Sequence, residues 1–94
     1  EAVERRQNQT GETKTIDLSG VFIAIGMEPQ SSLVKDLVKE DPAGYVEAGE
    51  DCRTSADGIY VAGDVRSKSL RQVVTAVADG AVAIASIEQD FARE

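Results

Sequence analysis

Apolar positions along this chain gather in three places and leave the remainder polar. Val21-Phe22-Ile23-Ala24-Ile25 is the most hydrophobic stretch, Ile59-Tyr60-Val61-Ala62 is a second unbroken run, and from Leu70 to Phe91 apolar residues recur at helical spacing. Short continuous runs rich in β-formers predict strands covered on both faces, so buried strands are expected over 21–25 and 59–62. Glu28-Pro29 ends the first, because proline donates no ladder hydrogen bond and restricts the residue before it. Asp57-Gly58 opens the second as a turn, and Gly63 closes it. Leu70, Val73, Val74, Val77, Ala81, Ile84 and Phe91 predict a long, largely buried helix. Gly80 in its middle is unfavourable by about 1 kcal/mol against alanine, which suits a helix that approaches another backbone closely. Ser67 or Ser69 is the expected N-cap, with Arg71 and Gln72 in the first turn.

The polar stretches carry weaker signals. Residues 1–18 read as a hairpin, with Gln7-Asn8-Gln9-Thr10-Gly11 as its turn and Val3, Thr13, Thr15, Ile16 and Leu18 on its arms. It is too polar to stand alone and belongs at the edge of something larger. Ser31-Ser32 followed by Leu33, Val34, Leu37 and Val38 predicts a short, serine-capped amphipathic helix. Asp41-Pro42-Ala43-Gly44 is a turn, Tyr45–Ala48 a short strand, and 49–55 a loop. The mixture of strands and helices points to an α/β fold.

Ninety-four residues make at most one small domain, short for an α/β sheet of usual size. Seventeen acids against ten bases, with no histidine, give a net charge of −7, which opposes nucleic-acid backbones and anionic membranes as partners. No apolar run has transmembrane length and the first residues carry no signal-peptide core, so a soluble, cytoplasmic chain is expected. Cys52 is the only cysteine, which excludes an internal disulfide, a CxxC pair and a zinc cluster. Glu50 and Asp51 beside it disfavour a thiolate, and an inert, semi-exposed thiol is expected. No glycine-rich phosphate loop occurs.

The candidate chemistry lies at Gly63-Asp64. In open α/β sheets ligands bind outside the carboxyl ends of the strands, where Gly63 permits a sharp turn or a close approach. Asp64 offers two acceptor oxygens to hydroxyls or amides, and the start of the 70–91 helix follows closely enough to face the same site. A plain loop is the competing reading of Gly-Asp, and solvation that of Arg71 and Gln72.

Three motifs stand in order: Gly20–Pro29 (GVFIAIGMEP), Thr54–Val65 (TSADGIYVAGDV), and Leu70-Arg71-Gln72-Val73 followed by Ala76-x-x-Asp79-Gly80-Ala81-x-Ala83. Through essentially the whole chain they resemble the carboxy-terminal third of low-molecular-weight thioredoxin reductases, with the flavoprotein subunit of alkyl hydroperoxide reductase as the nearest competitor. The resemblance implies that 1–26 are the terminal strands of an NAD(P)H-binding domain and that 27–94 complete an FAD-binding domain. It implies FAD and NADPH as cofactors, thioredoxin or a similar disulfide as substrate, the remainder of a reductase chain as partner, and a homodimer. By the same resemblance Asp64 hydrogen-bonds the flavin ribityl chain, with the Gly63 backbone close by. Arg71, Gln72 and the Val73 backbone lie by the pyrimidine edge of the isoalloxazine. Gly26 stands at the hinge between domains, where it touches the nicotinamide nucleotide or serves only the turn.

Elementary electrostatics agrees with these roles. A helix N-terminus carries about half a positive charge and unpaired amides, which suits the flavin N1–C2=O edge, where reduction places negative charge. The departures from the family pattern are the missing GxGxxG loop, the missing CxxC pair, and Ala56-Asp57 in place of a β-branched residue and proline. They imply a chain that contributes flavin contacts without being a reductase by itself. The alternative is a stand-alone, non-catalytic α/β binding or oligomerisation module that keeps the flavoprotein fold without cofactor. As a fragment, a sheet lacking its other strands leaves the apolar faces of 21–25 and 59–62 uncovered, which invites self-association or strand exchange between copies.

Overall fold

The computed structural model describes residues 2–24 and 26–93, with a long axis of 65 Å and cross-dimensions of 26 and 20 Å. At one end is the expected hairpin. Strands β1 (Ala2–Arg6) and β2 (Thr13–Asp17) pair antiparallel in the register Ala2↔Asp17 through Arg6↔Thr13, which sets Val3 opposite Ile16. The loop between them closes with Gln7 N–H donating to the Glu12 carbonyl and Gly11 N–H to that of Gln7, each at 2.7 Å, and Gly11 adopts a φ of +73°. Among the described residues the hairpin packs against no other named element.

The strand expected over 21–25 does not form. Val21, Phe22 and Ile23 are exposed and belong to no ladder, while Ile25 lies outside the described residues, as do Glu1 and Glu94. A central strand needs neighbours for its N–H and C=O groups and a layer over each face. Among the described residues this chain provides neither for that run, so residues 21–24 stay exposed and outside any strand.

The core lies in 31–67 and is small: Val38, Val46 and Val61, with Val34, Ala48, Ala56, Ile59 and Val65 packed on them. Single bridges build it in place of continuous strands. Val46 pairs with both Glu40 and Arg66, and Arg53 pairs with Tyr60. The predicted strands at 45–48 and 59–62 are therefore one bridge residue each, because every segment here has a partner for only a residue or two. Val46 N–H donates to the Val65 carbonyl at 2.9 Å, and Ser67 N–H returns to the Val46 carbonyl at 2.8 Å. Cys52 is fully buried, not semi-exposed, with a φ of +64°, and burial above all pushes its thiol pKa up. The expected helix at 31–38 is a run of turns. The Ser31 hydroxyl does not cap it but donates to the Gly44 carbonyl at 2.6 Å, binding this segment to the turn that follows it.

Helix α1 (Val73–Ala92) starts three residues later than the expected Leu70, so that Arg71 precedes it and Gln72 is its N-cap rather than either lying in its first turn. It also turns a different face inward from the expected one. Its buried positions are Asp79, Ala83 and Ser86, whereas Val73, Val74, Val77, Ile84 and Phe91 face outward. Small and polar groups make the inward contact because each finds a partner. Ser86 Oγ donates to the Asp51 carbonyl at 2.6 Å, Cys52 Sγ approaches the Asp79 carbonyl at 3.5 Å, and Arg53 bridges to both Asp90 and the Ser86 carbonyl. The Tyr60 hydroxyl also bonds the Asp90 carboxylate. Neither serine caps the helix: Ser67 is committed to Asp41 Oδ2 at 2.8 Å, and Gln72 occupies the N-cap with its N–H donating to Thr75 Oγ1 at 2.9 Å. No helix among the described residues is long and apolar enough to cross a membrane.

Candidate functional site

Val61 and Ala62 run extended into a single 3₁₀ turn, Gly63–Val65, which delivers Asp64 to the surface. Gly63 has a φ of +84°, a left-handed conformation that favours glycine. Three contacts fix the turn. Gly63 N–H donates to Asp79 Oδ2 at 3.0 Å, Arg66 N–H closes on the Gly63 carbonyl at 3.0 Å, and Arg71 Nε donates to the Asp64 carbonyl at 3.0 Å. The backbone of Asp64 is thus held from both sides. Its carboxylate is exposed and engaged in no hydrogen bond among the described residues.

Asp64, Arg71, Gln72 and Val73 line one open groove of about 550 Å³ together with Ala76 and Val77. The acid and the helix start therefore face one another, as their order in the chain predicts. Gly63 lies buried beneath the groove, where a Cβ added to it would meet Ala76 Cβ at 3.7 Å. Arg71 stacks over the Tyr45 ring at 3.7 Å and donates to the Arg66 carbonyl at 3.3 Å, so its guanidinium braces the loop that carries Asp64. A smaller groove of about 250 Å³ on the other side of Asp64 is lined by Met27 to Gln30, Tyr45 and Val65. Gly26, with a φ of +135°, lines neither groove.

An acceptor carboxylate opposite the free amides of a helix start is a complementary pair. It fits a ligand that presents hydroxyl donors at one point and a carbonyl acceptor at another. A ribityl chain and the C2=O edge of an isoalloxazine have those properties, so the residues present fit a flavin.

Beneath this surface lies a cluster that periodicity does not reveal. Asp79 is buried and accepts from Arg66 Nε at 3.0 Å and Nη2 at 3.1 Å, and from Lys68 Nζ at 2.8 Å, in addition to Gly63 N–H. Both cationic side chains are buried with it, and Glu50 stands 3.6 Å from Arg66 at the rim. The Arg66 guanidinium, reinforced by Lys68 and the Gly63 amide against the effect of burial, holds the Asp79 pKa far below the usual carboxylate range. The signal in the sequence was a carboxylate inside an apolar helical pattern, with two basic residues 11 and 13 positions upstream.

A model of the pyridine nucleotide-disulphide oxidoreductase family matches residues 1–80 of the chain. The thioredoxin reductase of Treponema pallidum is 49% identical over 75 residues, which are 80% of this chain and 24% of that protein. The bifunctional thioredoxin reductase/thioredoxin of Mycobacterium leprae is 46% identical over 89 residues, 94% of this chain and 19% of that protein. Among solved structures, the thioredoxin reductase of T. acidophilum superposes with a TM-score of 0.83 at 43% identity, covering 95% of this chain and 30% of that one. The chain thus spans about a fifth to a quarter of the length of these curated relatives. These are the proteins that the three motifs resemble, and with an α/β structure that overlays theirs, the chain belongs to the pyridine nucleotide-disulphide oxidoreductase family.

Proposed function

We propose that this chain acts as part of an FAD- and NADPH-dependent thioredoxin reductase, in which residues 27–94 complete the FAD-binding domain and 1–26 end the NADPH-binding domain. The observation that carries the reading is the convergence of Asp64, Arg71, Gln72 and Val73 on one groove, with an unengaged carboxylate on one side and a helix start on the other. The separation of the hairpin from the remaining elements supports the division into two domains. FAD, when bound, carries electrons between NADPH and a disulfide. Asp64 accepts hydrogen bonds from the ribityl hydroxyls, and Gly63 lets the backbone come close to them. The first-turn amides and partial positive charge of α1 favour the electron-rich N1–C2=O edge of reduced flavin. Arg71 adds positive charge there while bracing the Asp64 loop.

Cys52 takes no part, since it is buried and is the only cysteine of the chain. The redox pair, the dinucleotide loop and the surface for thioredoxin or a similar disulfide belong to the rest of the reductase. The homodimer and the cytoplasmic location are part of the same reading, and the outward apolar stripe of α1 supports an assembled state. In the reductase that carries this segment, Asp64→Ala lowers the flavin retained after desalting, read from the visible absorption per protein. An unchanged flavin content would overturn the assignment.

A further inference from the structure

The geometry points to Asp79 as a positioning residue for the flavin contact at Asp64, an inference that rests on the reading of Asp64 given above. Asp79 reaches no groove-facing atom of the flavin site itself. It is nevertheless the most heavily engaged carboxylate among the described residues, with four donors on its two oxygens. Two of those donor groups bracket Asp64 in the chain: the Gly63 amide on one side and the Arg66 guanidinium on the other. Arg66 N–H in turn closes the 3₁₀ turn on the Gly63 carbonyl, and the Arg66 carbonyl receives Arg71 Nη2. Asp79 is therefore the point at which the Asp64 turn is fastened to α1.

The consequence is geometric. Asp79 lies six residues into α1 from Val73, about 9 Å along the axis at 1.5 Å per residue. One rigid helix thus presents its first turn to the groove and, through Asp79, sets the position of the carboxylate opposite. The separation between acceptor and donors becomes a property of the helix rather than of a surface loop. Buried Arg66 and Lys68 enforce the arrangement, because no other carboxylate among the described residues lies within hydrogen-bond distance of Lys68 Nζ.

A merely structural role for Asp79 predicts an effect independent of Asp64, and a positioning role predicts one that vanishes without it. The test is a double-mutant cycle in the flavoprotein that carries this segment, read as the FAD dissociation constant by flavin fluorescence and as the position of the long-wavelength flavin absorption band. With Asp64 present, Asp79→Ala weakens FAD binding about tenfold, the usual scale for losing a charge-assisted hydrogen bond, and shifts the band. In the Asp64→Ala background the same change alters binding by less than about twofold. An equal factor in both backgrounds overturns the positioning role and leaves the flavin site intact. An Asp64→Ala variant that binds FAD normally overturns the reading of the site, and this inference with it. Asp79→Asn preserves volume and an acceptor for the Gly63 amide, and it takes the same cycle if the alanine variant does not fold. Loss of folded protein in both variants shows that Asp79 serves the fold as a whole and likewise overturns the inference.

Discussion

At neutral pH Asp79 is ionised between Arg66 and Lys68, and its pKa is held below the ordinary value of 3.8 chiefly by the Arg66 hydrogen bonds. A carboxylate with a depressed folded pKa stabilises the fold above its unfolded pKa and loses that contribution as pH falls through the folded value. Asp41, Asp51 and Asp90 are lowered too, by Ser67, by the Arg53 amide and by the Arg53 guanidinium respectively, so all four act in one direction. Stability of the 94-residue chain accordingly declines from about pH 4 downward, and Asp79→Asn flattens that decline. Urea unfolding between roughly pH 7 and pH 3 reads the slope, and an unaltered slope in the variant would assign the acid sensitivity to the other three aspartates. The groove residues were legible in the sequence because their signals are local: Gly63-Asp64 follows an apolar run, and Arg71-Gln72 leads into a helix that begins at Val73. Asp79 was not, because its meaning depends on Gly63, Arg66 and Lys68, which only the folded chain brings to it.

Among the elements, α1 was legible in length and period while its facing was not. A hydrophobic stripe shows that some surface will be covered, and it does not say by which part of a protein. Here Ala83, Ser86 and Asp79 face the small core, and the valines face away. The two apolar runs failed as strands for a related reason, since β-structure is completed by neighbours distant in sequence and the ladder partners of 21–24 are not among the described residues. Gly80 separates the two possible environments. Within this chain a Cβ at Gly80 meets nothing within 4 Å, so Gly80→Ala stabilises the isolated chain by about 1 kcal/mol through helix propensity alone. Thermal unfolding measures the gain. A destabilised isolated chain would mean that Gly80 contacts something here after all, whereas a loss confined to the larger reductase would mark a close backbone approach there.

For the molecule as a whole, a small core, a detached hairpin and an outward apolar stripe are combined in a body 65 Å long. The groove at Asp64 is open, and the chain contains no glycine-rich loop to hold a pyrophosphate. The isolated chain therefore retains no FAD through desalting, and its absorption spectrum after incubation with FAD shows none of the visible flavin bands. Retained flavin would mean that a second copy completes the pocket, and would favour the independent module over the reductase segment. The inward face of α1 has one further consequence, for the order of events in assembly. Its contacts with 51–53 and Gly63 are hydrogen bonds and ion pairs between residues at most 37 positions apart, and none of them needs the valine stripe to be covered. A ribosome releasing this segment would thus see the helix latch onto its own loop early and keep its adhesive side free, so that docking becomes a meeting of preformed surfaces.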